Sequence, residues 1–137
     1  MTPTVTAIIA VVALGVAGVA GVLHNRRSGI VREAESADVD VSELGLSRTG
    51  PTIVHFSAVW CGPCAGVRRV VNQVCDDMRD VAHVEIDMDA NPAAARKLSV
   101  MSLPTTFIFD AQGRQRYRTA GVPKAADLRS AVEPLLA

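Results

Sequence analysis

The chain has 137 residues, and its 14 Lys and Arg balance its 14 Asp and Glu, so the formal net charge is zero. This length allows one small domain and little more. The neutral balance offers no basic composition for nucleic-acid binding, and we expect no nucleic-acid partner.

A stretch without charged residues, 4–23, opens the chain. At 1.5 Å per residue a helix of this length spans about 30 Å, the thickness of a bilayer core. We predict one transmembrane helix, with residues 1–23 as a membrane anchor. A cleaved signal peptide is the alternative: residues 18–20 resemble a weak cleavage site, although the positive leading region of such peptides is missing.

Three arginines follow the predicted span, Arg26, Arg27 and Arg32, and no Lys or Arg precedes it. Positively charged flanks stay on the cytoplasmic side of a membrane. We therefore predict a single-pass protein with a cytoplasmic domain. Because few charges decide the orientation, an extracytoplasmic domain is the alternative.

Small residues recur at a four-residue spacing within the anchor, at Ala13, Ala17 and Gly21. This spacing permits close pairing of two helices. Any helix rich in Ala and Gly contains such spacings by chance, so a homodimer through the anchor is only a secondary possibility.

Residues 24–37 are polar and lack periodicity, which predicts a tether between the membrane and a domain at 38–137. The domain begins weakly, with a possible short strand at 39–41 and a possible helical turn at 42–44. We expect a trimmed N-terminal edge followed by intact central elements.

One pentapeptide joins a strand-like run, 52–57, to a helical pattern; it reads Trp60-Cys61-Gly62-Pro63-Cys64. The first thiol precedes a helix N-terminus, where free N–H groups and the helix dipole favour the thiolate that attacks disulfides. Pro63 suits the first helical turn. Cys64 is close enough to Cys61 to form a disulfide and release a bound partner.

A structural zinc site is the alternative use of such a cysteine pair. Zinc requires four ligands, and a second Cys-x-x-Cys or a spaced His pair is absent from the sequence. The remaining candidates are scattered: Cys75, His24, His55 and His83. We therefore favour redox chemistry without a metal, and we interpret Cys75 as a small apolar residue on the inner face of the helix.

Helices and strands alternate after the cysteine pair. The predicted elements are a helix from Cys64 to about Asp80, a strand at 81–87, a short helix at 92–98, a strand at 105–110, a return strand at 115–119 and a final helix at about 124–136.

The pentapeptide resembles the active site of the thioredoxin family, as do Leu103-Pro104-Thr105 and Gly121 further along the chain. The resemblance covers roughly residues 38–137. It implies an α/β thioredoxin fold, in which helices flank a mixed sheet, and a thiol–disulfide oxidoreductase that needs no metal or organic cofactor.

The resemblance also implies a role for each matching residue. Cys61 would attack and Cys64 would resolve the mixed disulfide; Trp60 would shield the site, and Gly62 and Pro63 would set the turn. The residues that would contact the substrate are Leu103, a cis Pro104, Thr105 and Gly121.

Two histidines depart from the family pattern. His55 stands where relatives carry a buried aspartate that assists proton transfer, and His83 stands where they often have a lysine. We hypothesise that His55 moves the proton at Cys64, since imidazole titrates near neutrality. The alternative is a neutral, hydrogen-bonded His55 with a purely structural role.

The predicted partners follow from this chemistry: disulfide-bearing proteins as substrates and an electron donor such as thioredoxin reductase. The Gly-Pro pair between the cysteines resembles reducing members of the family. Two alternatives stay open, namely extracytoplasmic thiol–disulfide exchange in envelope or cytochrome maturation, and a membrane-tethered docking module whose cysteines are incidental.

Overall fold

A computed structural model describes residues 2–34 and 40–137. Its helices and strands are α1 (Pro3–Arg27), β1 (Arg32–Glu33), β2 (Thr52–Ser57), α2 (Cys64–Asp77), β3 (Ala82–Asp87), α3 (Pro92–Lys97), β4 (Thr105–Phe109), β5 (Gln115–Ala120) and α4 (Ala125–Val132). Short 3-10 turns occur at Ser42–Leu44 and Glu133–Leu135.

The strands form one mixed sheet in the order β1-β5-β4-β2-β3. β2 and β3 are parallel, and the other neighbouring pairs are antiparallel. The mixed sheet flanked by helices agrees with the predicted fold class.

All six residues of β2 are buried because helices cover both faces of the sheet. Ile53 packs with α2 and α4 on one face, around Val71 and Leu128. Val54 and Phe56 point to the other face, which α3 and the 42–44 turn cover. Each face therefore has its own apolar core, and β2 lies between the two.

The apolar spacing of α2 explains why this helix covers the sheet. Val67, Val71 and Val74 recur at helical spacing and are fully buried. The helix ends at Asp77, three residues before the predicted end, because Met78 leaves helical geometry and a turn returns the chain to β3. At the C-terminus α4 is also shorter than predicted, because Pro134 cannot donate a helical hydrogen bond.

The predicted tether is partly wrong: residues 29–34 lie on the domain. α1 continues to Arg27, and the Gly29 N–H then donates to the Ala120 carbonyl at 2.6 Å. β1 pairs with the edge of β5, and the Ala34 N–H donates to Arg116. Polar backbone next to an open strand edge finds partners there, which composition alone did not reveal.

Residues 35–37 of the predicted linker lie outside the described residues. So does residue 39 of the strand predicted at 39–41. The helical turn predicted at 42–44 is present. α1 is exposed along its whole described length and is long and apolar enough to cross a membrane. A signal sequence near an N-terminus meets the same criterion.

Candidate redox site

The structure joins Cys61 and Cys64 in a disulfide with an S–S distance of 2.05 Å. Cys64 is the first residue of α2 and is 2% exposed, whereas Cys61 is only partly covered. The Cys61 N–H donates to the Ala58 carbonyl at 3.0 Å, which folds the chain back beyond the end of β2. Cys61 is therefore the more accessible of the two cysteines.

Gly62 and Pro63 form the turn between the two cysteines. The Cys64 N–H donates to the Cys61 carbonyl at 3.3 Å. Pro63 already has helical geometry, with φ −63°, and its carbonyl accepts the N–H of Gly66. The proline thus occupies the N-cap position just before the first residue of α2, where its missing N–H is harmless.

Trp60 stands beside the cysteines and is 63% exposed. Its indole Nε1–H donates to the Asp89 carboxylate at 2.9 Å. The Asp87 carboxylate in turn accepts the backbone N–H groups of Asp89 and Ala90. Sequence reasoning missed Asp89. It follows the C-terminal end of β3, which lies beside the C-terminal end of β2 and so near the pentapeptide.

The Leu103–Pro104 peptide bond is cis. Phe56 pairs with Thr105, so the loop that begins β4 lies beside the end of β2, next to the chain that leads to the cysteines. The Gly121 N–H donates to the Pro104 carbonyl at 2.9 Å, and the Thr105 hydroxyl donates to the Ser102 carbonyl. The predicted substrate-contacting residues therefore meet where β2 ends and β4 begins.

Glycine is required at position 121 by its neighbours. Its φ is +85°, and a Cβ atom there would lie 3.1 Å from the Cβ of Ser28 and 3.2 Å from the N atom of Gly29. The loop that contacts Pro104 thus also touches the chain that leaves α1.

A polar network lies on the face of the sheet that α2 covers. His55 is fully buried, and its Nδ1 atom is 2.8 Å from Nε2 of His83. Nδ1 of His83 is 3.2 Å from Oδ1 of Asn72 on α2. The structure therefore brings the two histidines together and connects them to the helix that carries Cys64.

With the amide oxygen of Asn72 facing His83, these contacts define one set of tautomers. The amide oxygen of Asn72 only accepts, so His83 must donate from Nδ1, and a neutral His83 then accepts at Nε2. His55 consequently donates from Nδ1. Its Nε2 atom keeps a lone pair and has no hydrogen-bond partner among residues 2–34 and 40–137.

Glu85 faces that lone pair at 3.4 Å. Its carboxylate also accepts the Ser57 hydroxyl at 2.8 Å and a two-pronged contact from the Arg68 guanidinium. Cys64, Arg68 and Asn72 follow one another at a four-residue spacing, so they form one stripe of α2 above the network. Sequence reasoning did not identify Ser57, Glu85 or Arg68.

Burial and the neighbouring charges set the protonation of this network. Desolvation lowers the pKa of His55 to about 4, against an opposing effect of Glu85. Desolvation likewise lowers the pKa of His83. The hydrogen bond from Arg68 is the main reason that the pKa of Glu85 falls to about 2. Near neutral pH the network thus holds two neutral imidazoles beside one carboxylate.

Cys75 is half-buried and packs against the apolar core on the α2 side of the sheet, as its helical spacing predicted. Burial, with a smaller contribution from Asp76, raises the pKa of its thiol. Within residues 2–34 and 40–137, no three His, Cys, Asp or Glu side chains are grouped closely enough to hold a metal ion.

Comparisons with known proteins agree with this geometry. The thioredoxin family model matches residues 33–134. A thioredoxin of Mycolicibacterium smegmatis is 40% identical over 105 residues, which cover 74% of this chain and 89% of the relative. A bifunctional thioredoxin reductase/thioredoxin of Mycobacterium leprae is 40% identical over 86 residues, which cover 61% of this chain and 19% of that protein.

The solved structure of a mutant thioredoxin from Halobacterium salinarum is similar as well. It superposes with a TM-score of 0.60 and 31% identity, and the match covers 66% of this chain and 79% of that one.

We predict that acid destabilises the domain partly through His55. An unfolded chain binds a proton at His55 near pH 6.5, whereas the folded chain resists protonation until about pH 4. The stabilising contribution is therefore complete above pH 6.5 and is lost as the pH falls. Between pH 7 and pH 5 the free energy of unfolding should decrease by about 2 kcal/mol more in the wild type than in His55→Gln.

Urea unfolding of the full chain in detergent, followed by circular dichroism, measures this difference. Above pH 7 the two stability curves should run parallel, because both states are then neutral at position 55. Equal slopes for the two proteins between pH 7 and pH 5 would contradict the prediction.

Proposed function

The chain belongs to the thioredoxin family and is a thiol–disulfide oxidoreductase, and we propose that it works mainly by reducing protein disulfides. The observation that carries the proposal is the arrangement of the cysteine pair. An accessible Cys61 precedes a buried Cys64 at the first turn of α2.

The reaction transfers two electrons through two sulfur exchanges. The Cys61 thiolate, favoured by the N-terminus of α2, attacks one sulfur of the substrate disulfide and forms a mixed disulfide, while the other substrate sulfur leaves as a thiolate. The Cys64 thiolate then attacks Cys61 and releases the second substrate thiolate. The protein ends with the Cys61–Cys64 disulfide, and the protons of its two thiols end on the substrate.

Substitution of each cysteine should separate the two exchanges. We expect Cys61→Ser to lower the rate of disulfide reduction on the order of 1000-fold or more, because the attacking sulfur is gone. Cys64→Ser should accumulate the mixed disulfide, which non-reducing electrophoresis detects as a covalent adduct. Cys75→Ser is the matched control and should change neither readout.

The same variants test the docking-module alternative. If Cys61→Ser still captured partners and supported the cellular phenotype, the cysteines would be incidental and the reductase proposal would fail.

After each cycle another protein must supply two electrons that reduce the Cys61–Cys64 disulfide back to two thiols. A reductase of the thioredoxin reductase class fits this role, and one relative is named as a bifunctional thioredoxin reductase/thioredoxin. The Gly62-Pro63 pair between the cysteines, typical of reducing relatives, favours this direction of electron flow.

We further propose that His55 accepts the proton of Cys64 when Cys64 becomes the attacking thiolate. Three features support this role. His55 lies beneath the stripe of α2 that Cys64 begins, and the Cys64 sulfur is 3.9 Å from the carbonyl oxygen of Phe56, the next residue along β2. Nε2 of His55 makes no hydrogen bond within the described residues, and the Glu85 carboxylate 3.4 Å away offsets part of the desolvation that lowers the pKa of His55.

His55→Ala should therefore slow the resolution of the mixed disulfide at pH 6–7 by about tenfold or more. The deficit should shrink towards pH 9, where the thiol ionises without a base. Rapid-mixing measurements from pH 6 to pH 9 give this profile, and the initial attack by Cys61 is the internal control. Resolution rates that are unchanged over the whole range would exclude the proton relay and leave His55 a structural residue.

For the remainder of the chain we propose a membrane anchor formed by residues 4–23, with the redox domain in the cytoplasm. The length and apolar character of α1 support the anchor, and Arg26, Arg27 and Arg32 after the span support the orientation. Pairing of two anchors stays a secondary possibility.

The orientation predicts the outcome of two C-terminal fusions in living cells. A reporter that works only in the cytoplasm should be active, and a reporter that works only outside it should be silent. The reverse result would overturn the orientation and place the protein in extracytoplasmic thiol–disulfide exchange. Alkaline extraction of membranes tests the anchor itself, since a cleaved signal peptide would release the domain into solution.

A further inference from the structure

The chain that leaves α1 is held against the surface that carries the redox site. Ser28 and Gly29 directly follow α1, and Gly29 is bonded to Ala120. A Cβ atom on Gly29 would lie 2.2 Å from the carbonyl oxygen of Val122, so the two backbones are in direct contact. β1 then continues the attachment along β5.

Two contacts connect this attachment to the redox site. Gly121 packs on Ser28 and at the same time bonds to Pro104, which is part of the cis-proline loop. Val122 reaches towards Gly66 in the first turn of α2: a Cβ atom on Gly66 would lie 3.5 Å from its side chain. The chain that leaves α1 therefore contacts residues that in turn contact the cis-proline loop and the first turn of α2.

This attachment limits how far the redox site can move from a membrane. Leu23 and Gly29 are separated by four helical and two extended steps, so Gly29 lies at most about 13 Å beyond the end of the apolar stretch. A free tether over residues 24–37 would allow a typical separation of about 20 Å with wide variation. With residues 4–23 in a bilayer, the contacts of Gly29 with Gly121 and Val122 would therefore keep the redox site near the headgroup layer.

The exposed surface around the cysteines is apolar as well. Val59, Met101, Trp60 and Val122 are 95%, 89%, 63% and 41% exposed. Arg26 and Arg27, which end α1, and Arg32 in β1 suit the anionic headgroups at the same depth. An apolar rim at headgroup depth matches a peptide that has just left the bilayer, where apolar and aromatic residues are common.

We propose that the preferred substrates are disulfides in the juxtamembrane segments of other membrane-spanning proteins. The inference rests on the proposed reductase function and on the proposed anchor. The chemistry is the two-step exchange already described; what the attachment selects is the height of the disulfide above the membrane.

The test uses the full chain in vesicles of phosphatidylcholine and phosphatidylglycerol. The probe is a single-pass peptide with an intrachain disulfide, placed either directly after the apolar span or beyond a rigid helical spacer of about 20 residues, which raises it by about 30 Å. We expect the near disulfide to be reduced at least about tenfold faster, because attachment raises its effective concentration at Cys61.

Two matched insertions examine the cause of that preference. A flexible 12-residue Gly-Ser insertion between Arg27 and Ser28 separates the anchor from the attached segment and should abolish the preference. The same insertion between residues 36 and 37 follows the attached segment and should preserve it.

Reduction of a small soluble disulfide by all three proteins separates the possible failures. If the proteins reduce the soluble disulfide normally, two results would overturn this inference alone. One is equal rates of the unmodified chain on the near and far probes, and the other is a preference that survives the insertion between Arg27 and Ser28. Loss of soluble activity in the unmodified chain would overturn the reductase proposal and this inference together.

Discussion

Burial of β2 on both faces is the constraint on which the redox site depends. With apolar cores above and below it, the strand is fixed in the middle of the sheet, and its end determines where the chain must turn towards α2. The pentapeptide occupies that turn, so the burial of Cys64 and the exposure of Cys61 follow from packing that lies several residues away. A site that acts by sulfur exchange benefits from such rigidity, because the geometry of attack is set before the substrate arrives.

The same burial explains the unusual polar network. A polar side chain at position 55 cannot reach water, so it needs partners inside the protein. His83, Asn72, Glu85 and Arg68 provide a chain of partners from the interior to the exposed side of α2. The arrangement keeps a neutral imidazole in the interior, with the Glu85 carboxylate 3.4 Å from its Nε2 atom.

Much of the fold and of the site could be predicted from the sequence, because the signals were local. The apolar run at 52–57, the valine spacing of α2 and the Cys-Gly-Pro-Cys motif each fix structure over a few residues. Glu85 and Asp89 could not be identified, because their roles depend on parallel pairing of β2 with β3 and on side-chain reach across the sheet. The attachment of residues 29–34 was missed for a related reason: two residues of β1 carry no periodic pattern, and their partner strand is more than 80 residues away.

The short strand β1 has a consequence for how the domain would behave without α1. β5 would otherwise form an edge of the sheet, with unpaired backbone N–H and C=O groups along one side. A fragment that begins at residue 38 would keep every residue of the redox site but would lose this cover. Such a fragment gains an open strand edge of the kind that recruits a second chain, so residues 29–34 belong to the folded domain even though composition groups them with the linker.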